Sequence, residues 1–269
     1  MIRLAARRLP SATAQALKTF QAEVDGSGDY AACVKAAKRL FSARNTKTNQ
    51  VFSVVREELF KLCSGIVRCC YCEDSAADEV EHVKPKDLYP EAVFSWANYV
   101  YACGPCNGPK NNKFAVVRRG TGELIVVTRA AGAAIVKPRS GVPAVVDPRR
   151  EDPFDFFVLD VLDTFRLEPL ETLDQVAQAR AAYTLELLRL NERESLRAAR
   201  RNAYGTYHAR LEQYCNRKDA GATALVLQGL AKDIVRTPHR MVWQAMQRYR
   251  GAVLELNALF TRAPEALRW

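Results

Sequence analysis

No stretch of this chain approaches the ~18 consecutive apolar residues that a membrane-spanning helix requires. The basic opening M-I-R-L-A-A-R-R-L-P is not followed by the apolar segment of a secretory signal. These two absences set the expectation of a cytoplasmic chain without membrane contact. A G-x-x-x-x-G-K-[ST] loop is also missing, so the chain is expected to hydrolyse no nucleotide itself. There is no internal repeat or low-complexity tract, which excludes a solenoid or a disordered tether. Histidine is scarce, with three in all, and only His82 stands beside another ligand type. His208 and His239 read as surface or capped side chains. Acidic residues are outnumbered, 30 against 40 Lys and Arg, giving a net charge of +10. That balance suits a polyanionic partner but does not establish one.

Cysteine is the residue in good supply, and four of the eight fall into two Cys-x-x-Cys pairs. Cys69 and Cys72 lie in C-C-Y-C-E-D at 69–74, and Cys103 and Cys106 open C-G-P-C-N-G-P-K-N-N-K-F at 103–114. Four thiolates in two such knuckles suit one tetrahedral structural Zn²⁺. A cysteine-rich zinc site belongs in a reducing compartment. Cys33, Cys63, Cys70 and Cys215 are scattered and carry no ligand spacing. The insert between the pairs holds E-V-E-H-V-K-P-K at 79–86 and W-A-N-Y at 96–99.

This order of residues resembles the HNH endonucleases, whose fold is the ββα-metal motif. The resemblance implies that Glu81 and Asn107 hold a divalent catalytic ion and that His82 deprotonates the attacking water. It also implies that Asn98 orients the loop bearing the histidine. Glu81 stands where Asp is commoner and Asn107 where His is commoner. Both still offer oxygen, which suits Mg²⁺ or Mn²⁺. Lys110, three residues beyond Asn107, is the expected phosphate contact nearest the site. The runs E-H-V-K-P-K-D-L-Y-P, F-S-W-A-N-Y and C-G-P-C-N-G-P-K look like the HNH subunits of Septu-type and retron-associated anti-phage systems, and a weaker likeness continues through 180–193. Those subunits work beside an ATPase, so the resemblance implies an anti-phage effector with an ATPase partner docked on its helical half.

The expected architecture is α+β: a zinc-stapled ββα-metal (HNH) core with a small β-ribbon, flanked by N-terminal helices and a C-terminal helical region. Boundaries are expected at 1–64 for an N-terminal helical scaffold, 65–118 for the core, 119–152 for a basic β-ribbon and 153–269 for the helical region. Apolar spacing predicts helices over 11–24, with Ser11 as N-cap, over 29–43 and over 48–63. Strands are expected at 80–83, 122–128 and 142–146, with Asn107 beginning a helix. A short strand pair or turn is expected within 154–170, then helices over 171–190, 192–217, 221–235 and 239–262. Trp96 and Tyr99 read as core packing. Residues 107–150 carry nine Lys or Arg against two acids. Lys84, Lys86, Lys110, Lys113, Arg118 and Arg119 are the expected nucleic-acid contacts, with double-stranded DNA the expected substrate. The cationic face of Lys35, Lys38, Arg39 and Arg44 reads as solvated before it reads as a DNA contact. The patch of Arg193, Arg197, Arg200 and Arg201 either binds an anion or merely solvates a helix. The functional expectation is a metal-dependent HNH endonuclease. The alternative is a non-catalytic, zinc-stapled nucleic-acid-binding or partner-docking subunit.

Overall fold

Three helices form the first layer: α1 (Ser11–Asp25), α2 (Tyr30–Arg44) and α3 (Gln50–Phe60). The last two begin at side-chain caps, Asp29 accepting from the Ala32 amide and Asn49 from the Phe52 amide. At α1 the expected cap is displaced by one residue. Pro10 is the N-cap and Ser11 is already helical, with no side-chain cap bond. The extended backbone of Pro10 lets its carbonyl accept the first helical amide, from Ala14 at 2.9 Å. Leu17, Val24, Ala37, Phe41, Phe52, Val55 and Leu59 fall on the facing stripes of the three helices and are buried together.

This computed structural model describes residues 1–63 and 67–269, and the expected boundary at 64–65 falls outside the described residues. An antiparallel hairpin follows, β1 (Glu79–His82) and β2 (Tyr99–Ala102), with Glu79 opposite Ala102 and His82 opposite Tyr99. A short helix, α4 (Gly104–Lys110), follows β2. It begins at Gly104 with Cys103 as N-cap, so Asn107 lies inside the helix and does not begin it. Pro105 near the helix start is compatible with this, because the first-turn amides need no intrahelical partner.

The hairpin is packed on both sides. Val80 and Tyr99 join the core of the N-terminal helices, together with Val93 and Phe94. Val100 and Ala102 join a larger core that contains the four knuckle cysteines and the C-terminal helices.

A three-stranded sheet comes next, in the order β4–β3–β5: β3 (Ala115–Val117), β4 (Leu124–Val126) and β5 (Val142–Pro143). Its central strand, β3, is fully buried and was not expected from the sequence. The expected strand pair at 154–170 is the hairpin β6 (Phe157–Leu159) and β7 (Leu167–Pro169). The C-terminal helices are α5 (Gln175–Leu187), α6 (Glu194–Asp219), α7 (Ala224–Val235), α8 (Arg240–Tyr249) and α9 (Leu254–Arg262). The single helix expected over 239–262 is broken by a 3-10 turn at Arg250–Ala252. Gly251 sits in that turn, where a poor helix former permits the change of direction. Among the described residues no helix is long and apolar enough to cross a membrane.

Two charged features differ from expectation. The arginines of α6 are not a free anion patch. Arg200 is buried and donates to the Phe165 carbonyl at 2.9 Å, Arg201 donates to the Asp163 carbonyl, and Arg197 pairs with Glu194. His239 is buried, not superficial. It sits in left-handed conformation ahead of α8 with Nε2 3.5 Å from Asp74. His208 is half-buried, 3.8 Å from Glu255.

Candidate metal centre and active site

The four knuckle cysteines converge. Their sulfur atoms all lie within 4.8 Å of one another, and Cys72 Sγ is 3.7 Å from Cys103 Sγ. A tetrahedron with Zn–S bonds of ~2.3 Å has edges of about 3.8 Å. All four side chains are buried, so the cluster is compatible with a structural zinc ion. Local backbone bonds set each knuckle. In the first, the Glu73 amide donates to the Cys69 carbonyl at 2.9 Å and Glu73 takes a left-handed φ of 62°. In the second, the Cys106 and Asn107 amides both donate to the Cys103 carbonyl. Hydrogen bonds from Cys103, Cys106 and Cys69 hold the Cys72 thiol below its ordinary range, while contacts with Cys103 push Cys69 and Cys106 up. Arg193, at the start of α6, donates to Cys106 Sγ at 3.3 Å. Its positive charge would offset the negative charge of four zinc-bound thiolates, a contact the spacing of the α6 arginines did not reveal.

Strand β1 places its four residues on alternate faces. Val80 and His82 turn towards the N-terminal helices. The His82 ring packs edge-on against Phe41 at 4.4 Å and Tyr99 at 5.2 Å and is 3% exposed. Its Nε2 lies 2.9 Å from the Val93 carbonyl. A carbonyl only accepts, so Nε2 carries the proton and Nδ1 keeps the ring's lone pair. Burial, together with the nearby charge of Lys86, pushes the His82 pKa down to about 3, and Lys110 adds to the effect. The ring is therefore neutral across the physiological range.

Asn98 fastens the loop that leads to Val93. Its Oδ1 accepts from the Lys84 amide at 2.8 Å, and its Nδ2 donates to the Lys84 and Ala92 carbonyls at 3.0 Å each. The side chain thereby ties the residue two beyond His82 to the residue just before Val93, the ring's acceptor. Tyr99 completes the arrangement by donating its hydroxyl to the same Val93 carbonyl at 2.7 Å.

Glu79 and Glu81 turn to the other face of β1, towards α4. Glu81 pairs with Lys110, and Asn107 Nδ2 donates to Glu79. The two residues expected to share a cation, Glu81 and Asn107, thus each have a different partner across the strand–helix junction. Lys110 is fully buried and also donates to the His82 carbonyl at 2.7 Å. Burial pushes the Glu81 carboxyl up, and the Lys110 charge opposes that shift. Asn107 Oδ1 is buried and has no hydrogen-bond partner among the described residues. An orphaned amide oxygen next to the Glu79 carboxylate is a donor type that suits a hard divalent cation, whereas Glu81 is already held by Lys110. Glu79 was missed by the sequence reading. The signal was present in E-V-E-H, where period-two spacing puts both glutamates on one strand face.

The remaining expected contacts are dispersed. Lys84 and Lys86 lie over the rings of Tyr89 and Phe41. Burial lowers the Lys86 pKa. Lys113 and Arg119 are exposed, and Arg118 pairs with Glu123 at 3.1 Å. Tyr99 is core, as expected, and Trp96 is half-buried against the same core, with its indole donating to the Arg7 carbonyl.

Over 48 residues the chain is 46% identical to the Septu protein PtuB of Bacillus thuringiensis, a match that covers 16% of this chain and 19% of that protein. The match therefore spans about a fifth of the relative's length. No family model matches the chain, and no solved structure matches it significantly.

Proposed function

We propose that the chain is a metal-dependent endonuclease of the HNH type that cuts nucleic acid, DNA by preference, as an effector of anti-phage defence. The observation that carries this reading is the neutral, single-tautomer His82, adjacent in β1 to Glu81, whose side chain turns to the opposite strand face and meets α4, the helix that bears the orphaned Asn107 oxygen. Partial identity to a Septu protein supports the defence context.

In this reading Asn107 Oδ1 and Glu81 hold a divalent cation, Mg²⁺ or Mn²⁺, with Glu79 orienting the amide of Asn107. Such an ion would neutralise charge on a scissile phosphate and on the departing oxygen. His82 Nδ1 accepts a proton from water as the water oxygen bonds to phosphorus, and the phosphorus bond to the leaving oxygen breaks. Val93 fixes the tautomer, and Asn98 fixes Val93. Lys110 keeps the Glu81 carboxylate from being buried without a counter-charge. Zinc in the four-cysteine cluster would brace a hairpin of two four-residue strands, too short to hold its shape unaided. The ATPase partner belongs to the same reading, docked on the helices that follow β7.

Incubation of the purified chain with supercoiled DNA in Mg²⁺ or Mn²⁺ tests the reading. Nicked or linear product that disappears with EDTA is expected. Intact DNA at excess protein in both metals would overturn it. One observation favours a second reading, a non-catalytic zinc-stapled nucleic-acid-binding subunit: the His82 ring is 3% exposed and packs as a core aromatic does. In that case His82→Phe would preserve every function of the chain, whereas the nuclease reading requires it to be inactive.

A further inference from the structure

A groove of about 880 Å³ runs beside α4, between α2 on one side and the loop after β4 on the other. Lys35, Lys38 and Arg39 project into it from one face of α2, at the i, i+3, i+4 spacing that aligns side chains along a helix. Lys113 and Arg129 enter from the other side. A single carboxylate, Asp87, offsets these five cations. It lies 3.2 Å from Lys38 and accepts from Asn112. Among the described residues Lys35, Arg39, Lys113 and Arg129 have no carboxylate within ion-pair distance. The wall at 130–133 is Ala-Ala-Gly-Ala, so nothing longer than a methyl group narrows the groove there. Gly108 and Asn111 line the end of the groove at α4, the helix that carries Asn107.

Unpaired cations of one sign, set along an open groove, attract a polymer with regularly spaced negative charge. The geometry points to this groove as the track for the phosphates that flank the cleavage point, with Lys35, Arg39 and Lys113 as backbone contacts. The cation face of α2 is then a binding surface, and the track lies to one side of the β-ribbon that bears Arg118 and Arg119. These contacts position the strand and read no sequence, because phosphates are the same at every step. The inference rests on the nuclease reading only for the location of the cleavage point.

The test is duplex binding in EDTA, where no cleavage intervenes. A labelled 30-base-pair DNA of arbitrary sequence would be titrated across a salt series. Lys35→Ala/Arg39→Ala/Lys113→Ala should bind about 10²-fold more weakly near 0.1 M salt and lose about 2.7 from the log–log salt slope, since each phosphate contact contributes about 0.9. A control triple with the same charge change on exposed residues of the C-terminal helices, Arg217→Ala/Lys232→Ala/Arg236→Ala, should retain affinity and slope. All six positions are exposed, so melting curves should match the parent. Equal losses in both triples would reduce the effect to net charge and overturn the inference. Unchanged binding in the groove triple, or a parent that binds no duplex, would overturn it too. Binding loss without any cleavage by the parent would leave the groove standing and sink the nuclease. Cleavage with unchanged groove-triple binding would do the reverse.

Discussion

At the scale of single residues, the candidate base is defined by what its neighbours remove. Val93 takes up Nε2–H, burial removes the charged form, and Phe41 and Tyr99 hold the ring plane. Asn98 matters because it satisfies three backbone groups at once. Asn98→Ala strands these groups, and each buried unsatisfied polar group costs ~1–3 kcal/mol. Urea unfolding should show a loss of about 3 kcal/mol. Asn98→Asp should recover only part of it, because a carboxylate keeps the Lys84 amide bond but cannot donate to the two carbonyls. A second residue-scale prediction concerns pH. Asp160 closes the turn between β6 and β7, accepting from the Leu162, Asp163 and Thr164 amides and from the Thr164 hydroxyl. Its burial works against ionisation, but these bonds prevail and hold its pKa at about 2. A depressed folded pKa means stabilisation that is complete above the ordinary carboxyl range and lost as pH falls towards about 2. The stability deficit of Asp160→Ala should therefore be constant between pH 8 and 5 and shrink only below about pH 4.

At the scale of elements, the hairpin β1–β2 and helix α4 act as one unit braced by the knuckles. Much of it was legible in the sequence. The Cys-x-x-Cys spacing marked the cluster, E-V-E-H marked a strand, and the apolar spacing of α1 to α3 marked the N-terminal layer. What was not legible depended on contacts distant in sequence. Strand β3 is only three residues long and is separated from the end of α4 by four residues, so no periodicity could develop. The break between α8 and α9 rests on a lone glycine whose helical tolerance packing decides. The pairing of Glu81 with Lys110 and of Asn107 with Glu79 depends on how α4 lies across β1, which no local pattern encodes. Arg193 read as part of a surface patch because its partner, Cys106, is 87 residues away. Its bond to the sulfur yields a prediction at this scale. Arg193→Ala should leave zinc stoichiometric but weaken its retention about 10- to 100-fold against a competing chelator, as loss of an outer-shell partner does. Unchanged extraction kinetics would make Arg193 a packing residue only.

At the scale of the whole molecule, the chain places one small hairpin between two cores. The N-terminal helices cover one face, and the four-cysteine cluster with the C-terminal helices supports the other. The cluster lies in the larger core, so its loss should be felt globally. Cys103→Ser should hold well under one zinc per chain and melt about 10 °C or more below the parent, since metal binding and folding are coupled in such elements. Full zinc content with unchanged melting would remove the cluster from the account. Cleavage by paired variants at saturating Mn²⁺ separates the base from the metal ligand. His82→Ala should cut ~10²–10⁴ times more slowly than the parent, the usual worth of a general base, while binding the duplex as tightly. Asn107→Ala should also fail at low metal and recover in part at high Mn²⁺, a rescue that should not extend to His82→Ala. A His82→Ala protein that cuts as fast as the parent under those conditions would contradict the assignment of the base and the nuclease reading built on it.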